Sequence, residues 1–117
     1  YRRSPCAYAQ DAAALDLCRT GCANGAAGVL STCEKLFFGM PLQHAEDVTT
    51  QQMSVEYFDS VVGAAPAPLR ASIEMFRLQA RRHRRVIERF GRFPQRNAIL
   101  GRASTPEEIC HLARATW

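Results

Sequence analysis

Lysine is nearly absent from this 117-residue chain: Lys35 stands alone beside fourteen arginines. That bias selects no chemistry by itself, since a GC-rich genome produces the same composition. Long apolar runs are missing as well. The candidate Leu36-Phe37-Phe38-Gly39-Met40-Pro41-Leu42 is short and broken by Gly and Pro. It falls far short of the ~20 residues that span a bilayer, so no membrane span is expected. No Cys-x-x-Cys occurs, which removes zinc-ribbon and thioredoxin-type motifs. The five cysteines, Cys6, Cys18, Cys22, Cys33 and Cys110, are odd in number and irregularly spaced. They do not form a disulfide framework on paper; they read as small hydrophobes in a reducing compartment. No phosphate-binding Gly-rich loop, nucleophile elbow or Gly-x-Gly-x-x-Gly is present, so nucleotide hydrolysis and serine-hydrolase chemistry have no motif. No stretch reads as a secretory signal, although the chain opens on Tyr1 rather than Met.

What is present is ordinary globular material, 47% hydrophobic and 22% charged. The length suits one domain with one sizeable core. The net charge of +4 is unevenly spread. Residues 77–102 hold nine arginines against the single acid Glu88, a local +8 on a remainder of −4. One segment is therefore a cationic patch on a mildly acidic molecule.

Every periodic stretch is helical. Ser4-Pro5 opens a helix that places Leu15, Cys18 and Cys22 on one face, and Asn24-Gly25 closes it. A short helix is expected from about Val29 to Phe38. Another runs over Glu46 to Val62, with Val48, Val55, Phe58 and Val62 in one stripe. The segment from Gly63 to Pro68 links it to the clearest helix. There Leu69, Ile73, Phe76, Ala80, His83, Ile87 and Phe90 alternate at spacings of four and three, one buried stripe. Gly91 stops it, and Phe93-Pro94 prevents its continuation. A last helix starts at Pro106, with Thr105 and Glu108 as a capping box. The expected fold is all-α, about five helices and no sheet.

Three groups of residues could carry chemistry. His83 sits in an apolar stripe crowded by arginine. It reads either as a core histidine bonded to a backbone carbonyl or as a neutral imidazole facing a pocket between helices. His44, Glu46 and Asp47 follow a Gly/Pro break and sit at a helix start, where acids either cap the helix or face a site. His44, Asp47 and His83 lack the spacing of a metal motif, so neither a metal nor a cofactor is expected. Arg89-Phe90-Gly91-Arg92-Phe93-Pro94-Gln95-Arg96-Asn97 alternates cations and rings through a tight turn. It suits a planar oxyanion or, less well, a nucleic acid; the plain alternative is pairing with the protein's own acids.

Phe37 to Asp47, Gln51, His83-Arg84-Arg85-Val86-Ile87, Phe90 to Arg102 and Ser104-Thr105-Pro106-Glu107-Glu108 together resemble the family labelled domain of unknown function 924. The stretch from Phe90 to Arg102 is the specific one. The resemblance implies a tetratricopeptide-like helical fold over the whole chain, residues 1–117, and carries no activity with it. The family usually has His where this chain has Gln95, which leaves an acid–base role there without support. It also implies a further helical stretch ahead of Tyr1, so the chain reads as the C-terminal two-thirds of a family unit. Such a layer exposes an apolar helix face, which a protein partner or the N-terminal segment would cover.

Three functions follow as expectations. The first is a helical interaction module, a subunit of a larger intracellular assembly. The second is a protein or enzyme that binds a small anion through His44, Asp47, His83, Arg92, Arg96 and Asn97. The third is RNA binding by the arginine-rich segment. The expected compartment is the cytoplasm, with the mitochondrial matrix as the alternative.

Overall fold

A computed structural model describes residues 4–114. Among the described residues there is no strand; seven α-helical segments and three 3-10 turns make up the fold. Ser4 does cap a start, accepting from the Cys6 N–H, but the segment it opens is a 3-10 turn, Pro5–Tyr8. The first α-helix, α1, spans Asp11–Ala23. It ends at Asn24 and at Gly25, whose φ of +78° favours glycine.

Helix α2 covers Thr32–Phe38, later than Val29, because a separate 3-10 turn occupies Ala26–Val29. Ser31 and Glu34 form its capping box, a signal read in the sequence only at Thr105. Helix α3 is a single turn, Met40–His44, with Pro41 in its first positions. Helix α4 runs over Val48–Ala64 and starts two residues after Glu46, since Asp47 is its N-cap and accepts from the Thr50 N–H at 2.8 Å. Helix α5 spans Ala67–Phe90 and stops at Gly91, φ +74°. The single-turn α6, Asn97–Leu100, and α7, Pro106–Arg114, follow as the last helices among the described residues.

Helices α4 and α5 form a hairpin across Ala65-Pro66 and carry the main core. Leu36, Val55, Phe58, Val61, Val62, Ala65, Ile73 and Ala80 are buried together. Phe58 is fully enclosed and stacks on Phe76 with ring centroids 6.5 Å apart. A second cluster joins Val86, Ile87 and Phe93. The expected α5 stripe holds at Ile73, Ala80 and Ile87. Phe76, His83 and Phe90 are only half-buried, Leu69 is exposed, and Val86 enters the core instead. Val48 is exposed too, in the first turn of α4.

Two glutamines tie α3 to this hairpin. Gln51 on α4 is fully buried; its amide donates to the carbonyls of Gln43 and Ala45, each at 2.8 Å. Gln43 in turn donates to the Phe76 carbonyl at 3.2 Å. Among the described residues no helix is long and apolar enough to cross a membrane.

Candidate functional site

The turn after α5 is held by a chain of charges that starts on the loop before α4. Glu46 accepts two hydrogen bonds from Arg102, both at 3.0 Å, and one from the Phe93 N–H at 2.6 Å. Arg102 also donates to the Phe93 carbonyl at 3.1 Å and to Asn97 Oδ1 at 3.0 Å. Asn97 passes the connection on, donating to Ser104 Oγ at 3.1 Å and to Glu108 at 3.4 Å. Glu108 is buried and takes Arg92 in a two-pronged contact, at 2.8 and 3.0 Å. Its other oxygen contacts include the Thr105 N–H, while Thr105 Oγ1 accepts from the Glu108 N–H. That reciprocal pair is the capping box of α7.

These bonds set the acidities. The hydrogen bonds from Arg92 and from Thr105 hold the Glu108 carboxyl down at about 2. At Glu46 burial pushes the pKa up, but Arg102 and the Phe93 N–H outweigh it and the net displacement is downward. Asp47 is lowered by the Thr50 hydroxyl and N–H it accepts from.

Arg96 projects the other way. Its guanidinium lies between the rings of Tyr8 and Phe93, 4.4 and 4.9 Å from their centroids. One edge donates to the His44 carbonyl at 3.0 Å. The other edge faces Asp11 at 3.8 Å and Glu46 at 3.9 Å, both longer than a hydrogen bond. Two cavities open on either side of this group. One, about 470 Å³, is lined by His44, His83, Gln79, Gln95, Asp11 and Arg96 among others. The other, about 820 Å³, shares Tyr8, Asp11, His44 and Arg96 with the first and adds Arg19, Asp47 and apolar side chains from α1 to α3.

Both histidines are kept neutral at pH 7. Burial, then the neighbouring His44, drive His83 down to about 4, with Arg96 acting in the same sense and a hydrogen bond to the Gln43 backbone opposing. Its ring rests edge-on against Phe93, centroids 5.4 Å apart. His44 is lowered by burial and by Arg96, against a smaller upward pull from Asp11. A neutral imidazole can accept a proton or a hydrogen bond.

The six residues singled out in the sequence therefore separate. His44, His83 and Arg96 share one cleft, and Asp47 lines the adjoining cavity while capping α4. Arg92 and Asn97 are spent inside the charge network. His44, Asp47 and His83 do not assemble as metal ligands: among the described residues no three His, Cys, Asp or Glu side chains could hold an ion. Among the acids, Glu46 takes an arginine, whereas Asp47 caps α4 and Glu56 accepts from Gln52. Tyr8 and Asp11 are not among those six residues, yet both line this cleft.

Fold and site together define an all-helical protein with a polar cleft set between a helical hairpin and an ion-paired turn. No curated protein matches the chain. The chain belongs to the family described as bacterial protein of unknown function (DUF924), whose model matches residues 1–116. It is also similar to the solved structure of a protein of unknown function from Agrobacterium tumefaciens, with 31% sequence identity and a TM-score of 0.81. The match covers 96% of this chain and 57% of that one.

Proposed function

We propose that the cleft at His44, His83 and Arg96 binds a small molecule through an anionic oxygen, either carboxylate or phosphate. One observation carries this reading. The edge of Arg96 that faces Asp11 and Glu46 has these acids standing off at 3.8 and 3.9 Å, so a ligand oxygen at hydrogen-bond distance would gain a contact that they do not make. The two rings fix the guanidinium plane in advance, which lowers the cost of ordering it on binding. The neutral imidazoles supply hydrogen-bond partners without adding charge.

The test uses phosphate and malonate as probes. Each should raise the thermal midpoint in proportion to the logarithm of its concentration, and Arg96→Gln should remove the rise while helical content persists. A rise that survives Arg96→Gln refutes the site, as does the absence of any rise in the parent protein. Loss of the fold in Arg96→Gln would mark Arg96 as a structural clamp. In that case His83→Ala, which leaves the stacked guanidinium in place, must weaken the probe for the cleft to stand.

A second reading, a helical interaction module, is supported by large apolar side chains turned outward. Leu17, Val29 and Phe37 are 70–87% exposed. RNA binding has weaker support, because Arg77, Arg81, Arg84, Arg92 and Arg102 already face acids of the chain.

A further inference from the structure

The arginines of α5 are sorted by face. Arg77 and Arg81 reach Asp59, Arg77 also meets Glu74, and Arg84 meets Glu88. These residues form one ion-paired row beside the core stripe. A different row runs along Ala71, Met75, Leu78, Arg82, Arg85 and Arg89, at spacings of four, three, four, three and four. All six are exposed. Met75 and Leu78 present 67% and 47% of their surface, and no ion pair among the described residues involves Arg82, Arg85 or Arg89.

Alternation of three and four is the spacing at which one helix lays a continuous seam against another. This seam runs roughly 27 Å, from eighteen residue-to-residue steps of 1.5 Å each. It is apolar at its N-terminal end and cationic at its C-terminal end. We propose that the seam docks an acidic amphipathic helix of a partner protein, with apolar side chains over Met75 and Leu78 and Asp or Glu over Arg82, Arg85 and Arg89. Charge complementarity selects this occupant. Cations without an acidic partner in the chain are the ones an incoming acid can use, although Arg89 also lies over the Phe90 ring at 4.7 Å, and their helical spacing matches acids one and two turns apart on a facing helix. An anionic membrane fits less well, because the two large apolar residues lie at one end and could not insert along the row. RNA fits less well because Met75 and Leu78 offer no ring to stack a base.

The proposal rests on the interaction-module reading and names its surface and partner. The test displays a library of three-heptad helices, varied at the facing positions among Leu, Met, Asp, Glu and Lys, and selects binders to the whole chain. Binders should carry Leu or Met at one end and Asp or Glu at the other. The variant Arg82→Glu, Arg85→Glu, Arg89→Glu should weaken them by roughly tenfold or more, and exchanging the acids of the helix for Lys should restore binding to that variant. Binding should also weaken with added salt. Binders indifferent to the triple variant but lost on Phe37→Asp would overturn the seam and leave the module reading standing. No binders at all would overturn both. Preferential binding to phosphatidylserine vesicles or single-stranded RNA, dependent on the same arginines, would assign the seam to a lipid or nucleic-acid partner and refute the proposal.

Discussion

Arg102 grips Glu46 through two parallel hydrogen bonds of 3.0 Å across 56 residues of chain. The same guanidinium holds the Phe93 carbonyl and Asn97, so a single side chain joins the loop before α4 to the turn after α5. Both partners are mostly shielded, at 24% and 22% exposure. Lysine cannot reproduce a planar fork with several acceptors. Arg102→Lys should therefore lower unfolding free energy by about 1–3 kcal/mol, measured by urea denaturation. A loss below a few tenths would mean that solvent replaces the fork.

Two glycines test how closely α1, α2 and α4 approach. A Cβ on Gly39 would stand 2.3 Å from the Tyr57 ring, and one on Gly21 would stand 2.4 Å from the Phe38 ring. Overpacking of this kind costs about 1–3 kcal/mol. Gly63 has open space around its Cβ direction and lies within α4. Gly39→Ala and Gly21→Ala should lower the thermal midpoint, whereas Gly63→Ala should hold or raise it.

Aromatic deletions should rank by enclosure. Phe58 and Phe93 are 0% and 1% exposed, so either change to Ala should cost about 3–5 kcal/mol. Phe76 lies on the same core but is half-buried, and Phe76→Ala should cost less. Equal losses would show that the Phe58–Phe76 stack acts as one unit.

Acid should weaken the fold in two separate windows. His83 has its pKa lowered to about 4, below the ordinary value near 6.5. Its neutral form favours the folded state, so its contribution is complete above that ordinary value and is lost as pH falls toward 4. The slope approaches about 1.4 kcal/mol per pH unit. His44 shifts in the same direction. Glu108 has its pKa lowered to about 2; its contribution is present above the usual carboxylate pKa and is lost as pH falls through 2. Urea midpoints followed from neutral pH downward should show the first loss, and His83→Gln should flatten it. An unchanged slope in that variant would assign the loss to other groups.

Local signals were legible in the sequence, and long-range pairing was not. Thr105 and Glu108 could be paired on paper because a capping box spans three residues. The end of α5 was readable at Gly91 for the same reason. Arg92 and Asn97 looked like site residues because an Arg-Phe-Gly-Arg-Phe-Pro turn suits an oxyanion. Their partner, Glu108, lies 16 and 11 residues away, and no local pattern announces it. His44, His83 and Arg96 stand out together in the sequence, yet Tyr8 and Asp11, which complete the cleft wall, come from the opposite end of the chain. The charge balance of the site depends on Asp11 together with Glu46, so its polarity could not be read before the fold was known.

Gln51 makes the single-turn helix α3 dependent on another element. A five-residue helix falls well below the length that holds itself together in water, and its terminal carbonyls at Gln43 and Ala45 are taken by the α4 side chain. The amides of Met40–His44 therefore have no stability of their own to report. In native-state hydrogen exchange they should open with α4 as one cooperative unit. Gln51→Ala should release them into fast local exchange while the central amides of α4 keep their protection.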